Sequence, residues 1–308
     1  MSDRRRFLAR FSALGAGAAL APAWRHALAL EPTHPPLQTR AIPSSGQRVP
    51  VIGMGTADSF NVGAGEAERA PLREVLRRFF AAGASLIDTS PSYGQSEAVL
   101  GALLAEAGLR DQAFLATKLS ITGRDAGLAQ FEGSLAALRT DHVELLQVHN
   151  LRDWKTQYAL IAALKAEGKT RYTGVTHYTE SGQAELAEVV RTVKPDFLQI
   201  NYSVTARGAE TTLLPLAQAL GVAVLVNRNF DDGRLFGKVK DKPLPGWAAE
   251  AGIGSWAQAF LRFCLSHPAV TAVIPATGKP ERQTDNLRAG YGKPLTPQQR
   301  QSLIDTVG

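Results

Sequence analysis

From residue 37 onward, short apolar runs alternate with stretches in which apolar residues recur at helical spacing. The runs are Val51–Met54, Ser85–Asp88, Phe114–Lys118, Val143–His149, Tyr172–Thr176, Phe197–Ile200, Val222–Val226 and Val270–Pro275. Several are β-branched and nearly continuous, the pattern of parallel strands covered on both faces. Between them lie stripes such as Leu72, Val75, Leu76, Phe79 and Phe80, stopped by Gly83. Others run through Leu128–Leu138, Tyr158–Leu164, Leu186–Val193, Leu213–Leu220 and Trp256–Phe263. Eight strands, each followed by a helix or a long loop, predict an α/β fold of the (β/α)8 TIM-barrel type, for which about 250 residues is usual. A doubly wound sheet would carry a Gly-x-Gly-x-x-Gly turn opening a helix after its first strand. Here Gly53-Met54-Gly55 has no helix start behind it. Thr39–Ile42 and Arg48–Pro50 flank Ser44-Ser45-Gly46 and predict a short N-terminal β-hairpin across the barrel bottom.

Charge changes the picture at one end only. The 308-residue chain has a formal charge of +6, which invites a polyanionic partner. Residues 1–29 hold five arginines (Arg4, Arg5, Arg6, Arg10, Arg25) against the single acid Asp3, leaving 29 basic and 27 acidic groups beyond them. The body is near neutral and has no basic stripe with interleaved aromatics, so no nucleic-acid role is expected. The lone cysteine, Cys264, excludes an intramolecular disulfide, and the scattered histidines give no metal site.

The leader itself has a basic start, an apolar run from Phe11 to Ala23 and an Ala27-Leu28-Ala29 cleavage pattern. Thirteen weakly apolar residues are too few to span a bilayer, which needs about 20. Arg4-Arg5 followed by Phe7-Leu8 resembles the twin-arginine export signal; an ordinary secretory signal or an uncleaved interfacial anchor is the alternative. The expected organisation is a signal peptide over residues 1–29, a Pro-rich linker over 30–36 and one barrel domain over 37–308, exported folded to the periplasm by transient contact with the twin-arginine machinery.

Candidate chemistry follows from the barrel. Its strands present their carboxyl ends on one face, so polar residues ending neighbouring strands become spatial neighbours. Three successive runs end in Asp88, Lys118 and His149, and Tyr93 lies five residues past Asp88. Each alone has an ordinary structural explanation; together they form a proton-donating set. A phenol of pKa near 10 is a poor acid, a neighbouring ammonium lowers its pKa, and a carboxylate keeps that ammonium charged and placed. An imidazole N–H beside them polarises a carbonyl oxygen.

These residues carry a resemblance to the aldo-keto reductase superfamily over nearly all of residues 47–290. The stretch Gly83-Ala84-Ser85-Leu86-Ile87-Asp88-Thr89-Ser90-Pro91-Ser92-Tyr93-Gly94 is similar to its first signature; Ala116-Thr117-Lys118 and Leu145-Leu146-Gln147-Val148-His149 resemble the strands carrying its Lys and His. The resemblance implies a catalytic tetrad of Asp88, Tyr93, Lys118 and His149, with Tyr93 as general acid, reducing an aldehyde or ketone with NADPH, NADH being possible. It further implies that Thr176, His177 and Gln199 hold the nicotinamide carboxamide, that Arg228 stacks in place of an aromatic ring, and that Thr277, Arg282, Asp285 and Asn286 hold the adenosine phosphate end. The other function weighed is an NADP(H)-binding sensor or interaction subunit with little turnover. Phe60, Trp154 and the loop Phe230–Trp247 are expected to rim the mouth, and Ser120, where some relatives carry tryptophan, to leave it open.

Overall fold

Alternation along each strand sorts this chain into two apolar layers, one inside a barrel and one between the barrel and its helices. The computed structural model describes residues 36–308. The leader, and the linker apart from Pro36, lie outside the described residues. The chain begins with an antiparallel hairpin of β1 (Thr39–Ala41) and β2 (Arg48–Pro50), in which Thr39 faces Pro50. Eight parallel strands follow: β3 (Met54–Gly55), β4 (Leu86–Asp88), β5 (Phe114–Leu119), β6 (Val143–His149), β7 (Thr170–His177), β8 (Phe197–Asn201), β9 (Ala223–Asn227) and β10 (Val270–Val273). Each pairs with the next in sequence. Bridges from Ile52 to Val273 and from Gly55 to Ala276 join the first strand to the last, completing the TIM barrel.

The first strand departs from the sequence expectation. Val51–Met54 is replaced by the shorter β3, because Val51 and Gly53 spend their backbone groups on Val273 of β10. The intervening helices are α1 (Glu66–Ala81), α2 (Ser96–Ala107), α3 (Arg124–Leu138), α4 (Trp154–Ala166), α5 (Gln183–Val193), α6 (Leu213–Leu220), α7 (Arg234–Lys238) and α8 (Trp256–Leu265). After β10 come α9 (Pro280–Arg288) and α10 (Pro297–Val307). Every helical stripe read from the sequence lies in one of them. The close approach of α2 to α3 needs Gly101, where a Cβ would lie 2.3 Å from the Ala137 carbonyl oxygen.

Inside the barrel, Leu86, Phe114, Leu145, Tyr172, Phe197, Ala223, Leu225 and Ala272 form the lower core, with Ile42 and Val49 of the hairpin region sealing it. Because the inward period is two residues, the same strands then place Asp88, Lys118, Gln147, His149, Thr176 and Gln199 on the inner face toward their carboxyl ends. The floor positions the site by closing the barrel beneath it.

Candidate active site

Lys118 is fully buried, and its ammonium donates to Asp88 Oδ2 at 2.7 Å and to the Thr89 carbonyl at 2.6 Å. Burial opposes the charge on Lys118, yet Asp88 and Tyr93 outweigh it and the ammonium pKa is raised. The other carboxylate oxygen of Asp88 accepts from Gln199 Nε2 at 2.8 Å and Gln147 Nε2 at 3.2 Å. Three donors on two oxygens fix this carboxylate, a charge-assisted arrangement that offsets its desolvation.

Tyr93 lies in the turn between β4 and α2, its N–H donating to the Ser90 carbonyl. Lys118 Nζ sits 4.9 Å from its ring centroid, and the Tyr93 and His149 rings meet edge to face at 6.0 Å. The sequence reading has Lys118 lower the phenol pKa. In the structure burial dominates: it raises the phenol above 10, with Lys118 pulling down and Asp88 pushing up. Tyr93 therefore rests protonated, with the buried Lys118 ammonium against its ring.

His149 ends β6. The hydroxyls of Ser90 and Ser92 lie 3.3 and 3.4 Å from its Nδ1. These contacts suit a ring whose Nδ1 accepts from a hydroxyl and whose Nε2 carries the proton. Burial, then the charges of Lys118, His177 and Arg152, bring its pKa down to about 3, so the imidazole is a neutral donor. The structure thus brings Asp88, Tyr93, Lys118 and His149 into one cluster.

Sequence reasoning overlooked four polar partners. Ser90 and Ser92 contact Nδ1 of His149, Gln147 steadies Asp88, and Glu97 on α2 accepts from Thr117 and Ser134 behind Lys118. Gln147 had a readable signal. It is a polar residue in an apolar strand whose register partner is Gly174, and a Cβ on Gly174 would come within 2.7 Å of Gln147 Cγ.

The residues expected at the cofactor divide. Thr176 Oγ1 donates to Gln199 Oε1 at 3.2 Å, and Asn227 Nδ2 approaches the same oxygen at 3.3 Å. Gln199 thus links the carboxamide end to Asp88. The His177 ring turns outward, taking the Thr179 N–H on Nδ1 and stacking on Tyr178. The Arg228 guanidinium lies over the Tyr178 ring at 4.6 Å and pairs with Asp232 at 2.9 Å. Cation–π attraction and the ion pair hold it at the rim. On α9, the Asp285 carboxylate accepts from Ser255 and Gln258 at the start of α8. Thr277 and Asn286 are buried, Arg282 is exposed, and among the described residues no carboxylate pairs with Arg282. The buried amide oxygens Asn201 Oδ1 and Asn227 Oδ1, at the carboxyl ends of β8 and β9, lack a partner. They fit a carboxamide donor beside Gln199.

One expectation about the mouth changes, that for Phe60. Phe60 is wholly buried in the outer core, and the Phe230–Trp247 segment is tied to α10 through Lys238 and Trp247. Trp154 packs partly into the outer core as well.

Residues 51–305 match the model of the aldo/keto reductase family. The chain is 30% identical to aldo-keto reductase YhdN of Bacillus subtilis over 223 residues, 67% of this chain and 66% of that protein. It is 29% identical to methylglyoxal reductase YeaE of Escherichia coli over 252 residues, 78% of this chain and 86% of that protein. Among solved structures, an aldo-keto reductase of Klebsiella pneumoniae in complex with NADPH superposes with a TM-score of 0.73 at 27% identity, covering 87% of this chain and 94% of that one. The barrel, the four clustered residues and these likenesses lead to one conclusion: the chain belongs to the aldo/keto reductase family.

Proposed function

We propose that this enzyme reduces an aldehyde or ketone by hydride transfer from NADPH, with NADH as a possible substitute, and that Tyr93 is the proton donor. The observation that carries the reading is the buried Asp88–Lys118 pair lying under the Tyr93 ring and beside His149. When bound, the reduced nicotinamide supplies the hydride to the carbonyl carbon. The chain's own residues do the rest. His149 Nε2–H donates to the carbonyl oxygen and orients it. Tyr93 gives its proton to that oxygen as it becomes an alkoxide, and Lys118 stabilises the phenolate left behind. Asp88, gripped by Gln147 and Gln199, keeps Lys118 charged and in place. Thr176, Gln199 and the unpartnered amide oxygens of Asn201 and Asn227 would hold the carboxamide, while Thr277, Arg282 and Asn286 would take the adenosine phosphate end beside the N-terminus of α9.

The test is turnover of a neutral aldehyde by wild type and Tyr93→Phe. The proposal expects a loss of about 10²–10⁴ in kcat; an unchanged rate removes Tyr93 from the chemistry. A wild type that binds NADPH tightly and turns nothing over would favour the sensor subunit. The leader supports a second proposal, export of the folded protein to the periplasm by the twin-arginine route. Mass spectrometry of a periplasmic extract should find a terminus near residue 30; recovery of only full-length chain from the cytoplasm would overturn it.

A further inference from the structure

The mouth of this site carries a cation that the reduction itself does not use. Arg152 leaves the chain one turn beyond His149, its N–H donating to the His149 carbonyl at 3.1 Å. Its side chain reaches back across the neighbouring strand, Nη1 donating to the Ser120 carbonyl at 2.9 Å. Leu119 pairs with Val148, so Ser120 stands beside His149, and the guanidinium spans the seam between the strands that present Lys118 and His149.

The position is set by the fold. Asn150, Leu151 and Asp153 all adopt positive φ, a left-handed path that non-glycine residues take only when their surroundings require it. Asp153 holds the path by accepting the Gly123 N–H at 2.8 Å, and Gln157 donates to the Gly123 carbonyl at 2.9 Å. Asp153 is thus committed elsewhere, and among the described residues no carboxylate pairs with Arg152. An exposed guanidinium spending one of its five N–H groups on a carbonyl leaves a fork for an incoming carboxylate. Its surroundings are polar: Asn150 shares its loop, Ser120 accepts from it in the next, and Ser90 and Ser92 lie against the adjoining His149 ring. Phe60, the aromatic expected at the rim, is buried.

We propose that Arg152 binds a carboxylate on the substrate, and that this enzyme's preferred substrates are short oxo acids, aldehydes or ketones with a carboxylate a few carbons from the carbonyl. The inference rests on the reduction proposed above. The carbonyl oxygen would sit on His149 and Tyr93 while the far end of the same molecule meets Arg152. That recognition anchors the substrate and leaves the hydride and proton steps unchanged. The positive charge of Arg152 is also among the influences that hold His149 neutral, consistent with its closeness to the imidazole.

The experiment compares 4-oxobutanoate with its methyl ester, which differ in charge and share the reacting aldehyde, using wild type, Arg152→Gln and Arg152→Lys. Wild type should favour the acid by about tenfold or more in kcat/KM, mainly through KM, with the preference falling as salt rises. Arg152→Gln should lower kcat/KM for the acid about tenfold more than for the ester, and Arg152→Lys should recover part of that gap. Equal efficiency for acid and ester in wild type, or the same preference in wild type and Arg152→Gln, would overturn the inference. Tyr93-dependent turnover of the ester without preference for the acid would sink this inference alone; no turnover of either compound would sink the proposed reduction. In that event calorimetry with succinate still decides the site. Arg152-dependent binding supports it, and identical isotherms for wild type and Arg152→Gln refute it.

Discussion

The two ends of the barrel interior are made by the same strands and are opposite in character. At the floor, Phe114, Tyr172 and Phe197 pack ring on ring at 5.5–6.0 Å, and the only polar atom they bring, the Tyr172 hydroxyl, is satisfied by Ser45 and Gln47. Higher on the inner face, Asp88, Lys118, Gln147 and Gln199 bury an ion pair and two amides, and Gln147 Oε1 stays without a partner. The floor gains stability from apolar burial. The upper layer pays in desolvation for a fixed cation under a phenol. One end holds the barrel shut, and the other is the end to which we assign the proton transfer.

That contrast can be broken most severely at Lys118. Lys118→Met removes the cation that, in the proposed reduction, stabilises the phenolate, and activity should fall by about 10³ or more. It also strands Asp88, costing about 3–5 kcal/mol. Adding Asp88→Asn should restore much of the stability and none of the activity, read by denaturant melts alongside kcat. At the floor the effects should reverse. Phe197→Ala should cost about 3–5 kcal/mol of stability, while kcat at a temperature where the variant is folded stays within a few-fold of wild type. A large fall in kcat there would mean that the two layers are not separable. A smaller effect is expected at Gln147→Leu, which frees one grip on Asp88 and removes the orphaned Oε1. We expect kcat to fall by about tenfold with little change in KM, in line with the loss of an outer partner of a reacting group.

The smallest effect is in pH. The folded pKa of His149 is about 3 against an ordinary 6.5, so between these values the unfolded chain binds more protons. His149 therefore costs the protein no stability above pH 6.5, and stability declines as pH falls from there toward 3. Thermal melts across that window should show a shallower acid slope in His149→Gln. Reduction rates should lack an acid limb from His149, and Tyr93, raised above 10, should contribute only an alkaline one.

Much of this architecture was readable in the sequence, for a physical reason. Strands buried on both faces are written as apolar runs, and the ionisable residues interrupting them at Asp88, Lys118 and His149 stand out as exceptions needing a partner. Helices escaped notice where the stripe was absent. The helix α2 buries Ser96, Glu97, Val99, Leu100, Leu103 and Leu104 around much of its circumference, so no narrow face shows. The helix α10 is mostly polar, although its capping box of Thr296 and Gln299 was a usable start signal. The direction of the Tyr93 shift reads the wrong way round from the sequence, because it depends on how deeply the ring is buried. Arg228 pairs locally with Asp232, four residues on, whereas Tyr178 beneath it and the Ser255 and Gln258 partners of Asp285 are brought there only by the fold.

The central claim, that the upper layer exists to let Tyr93 deliver a proton, is tested most directly by single-turnover reduction. Enzyme preloaded with NADPH is mixed with saturating aldehyde, and the loss of reduced nicotinamide is followed in wild type and Tyr93→Phe. The account predicts a chemical step slowed by about 10²–10⁴ in the variant, with NADPH affinity and melting temperature essentially unchanged. A Tyr93→Phe step within twofold of wild type would contradict it.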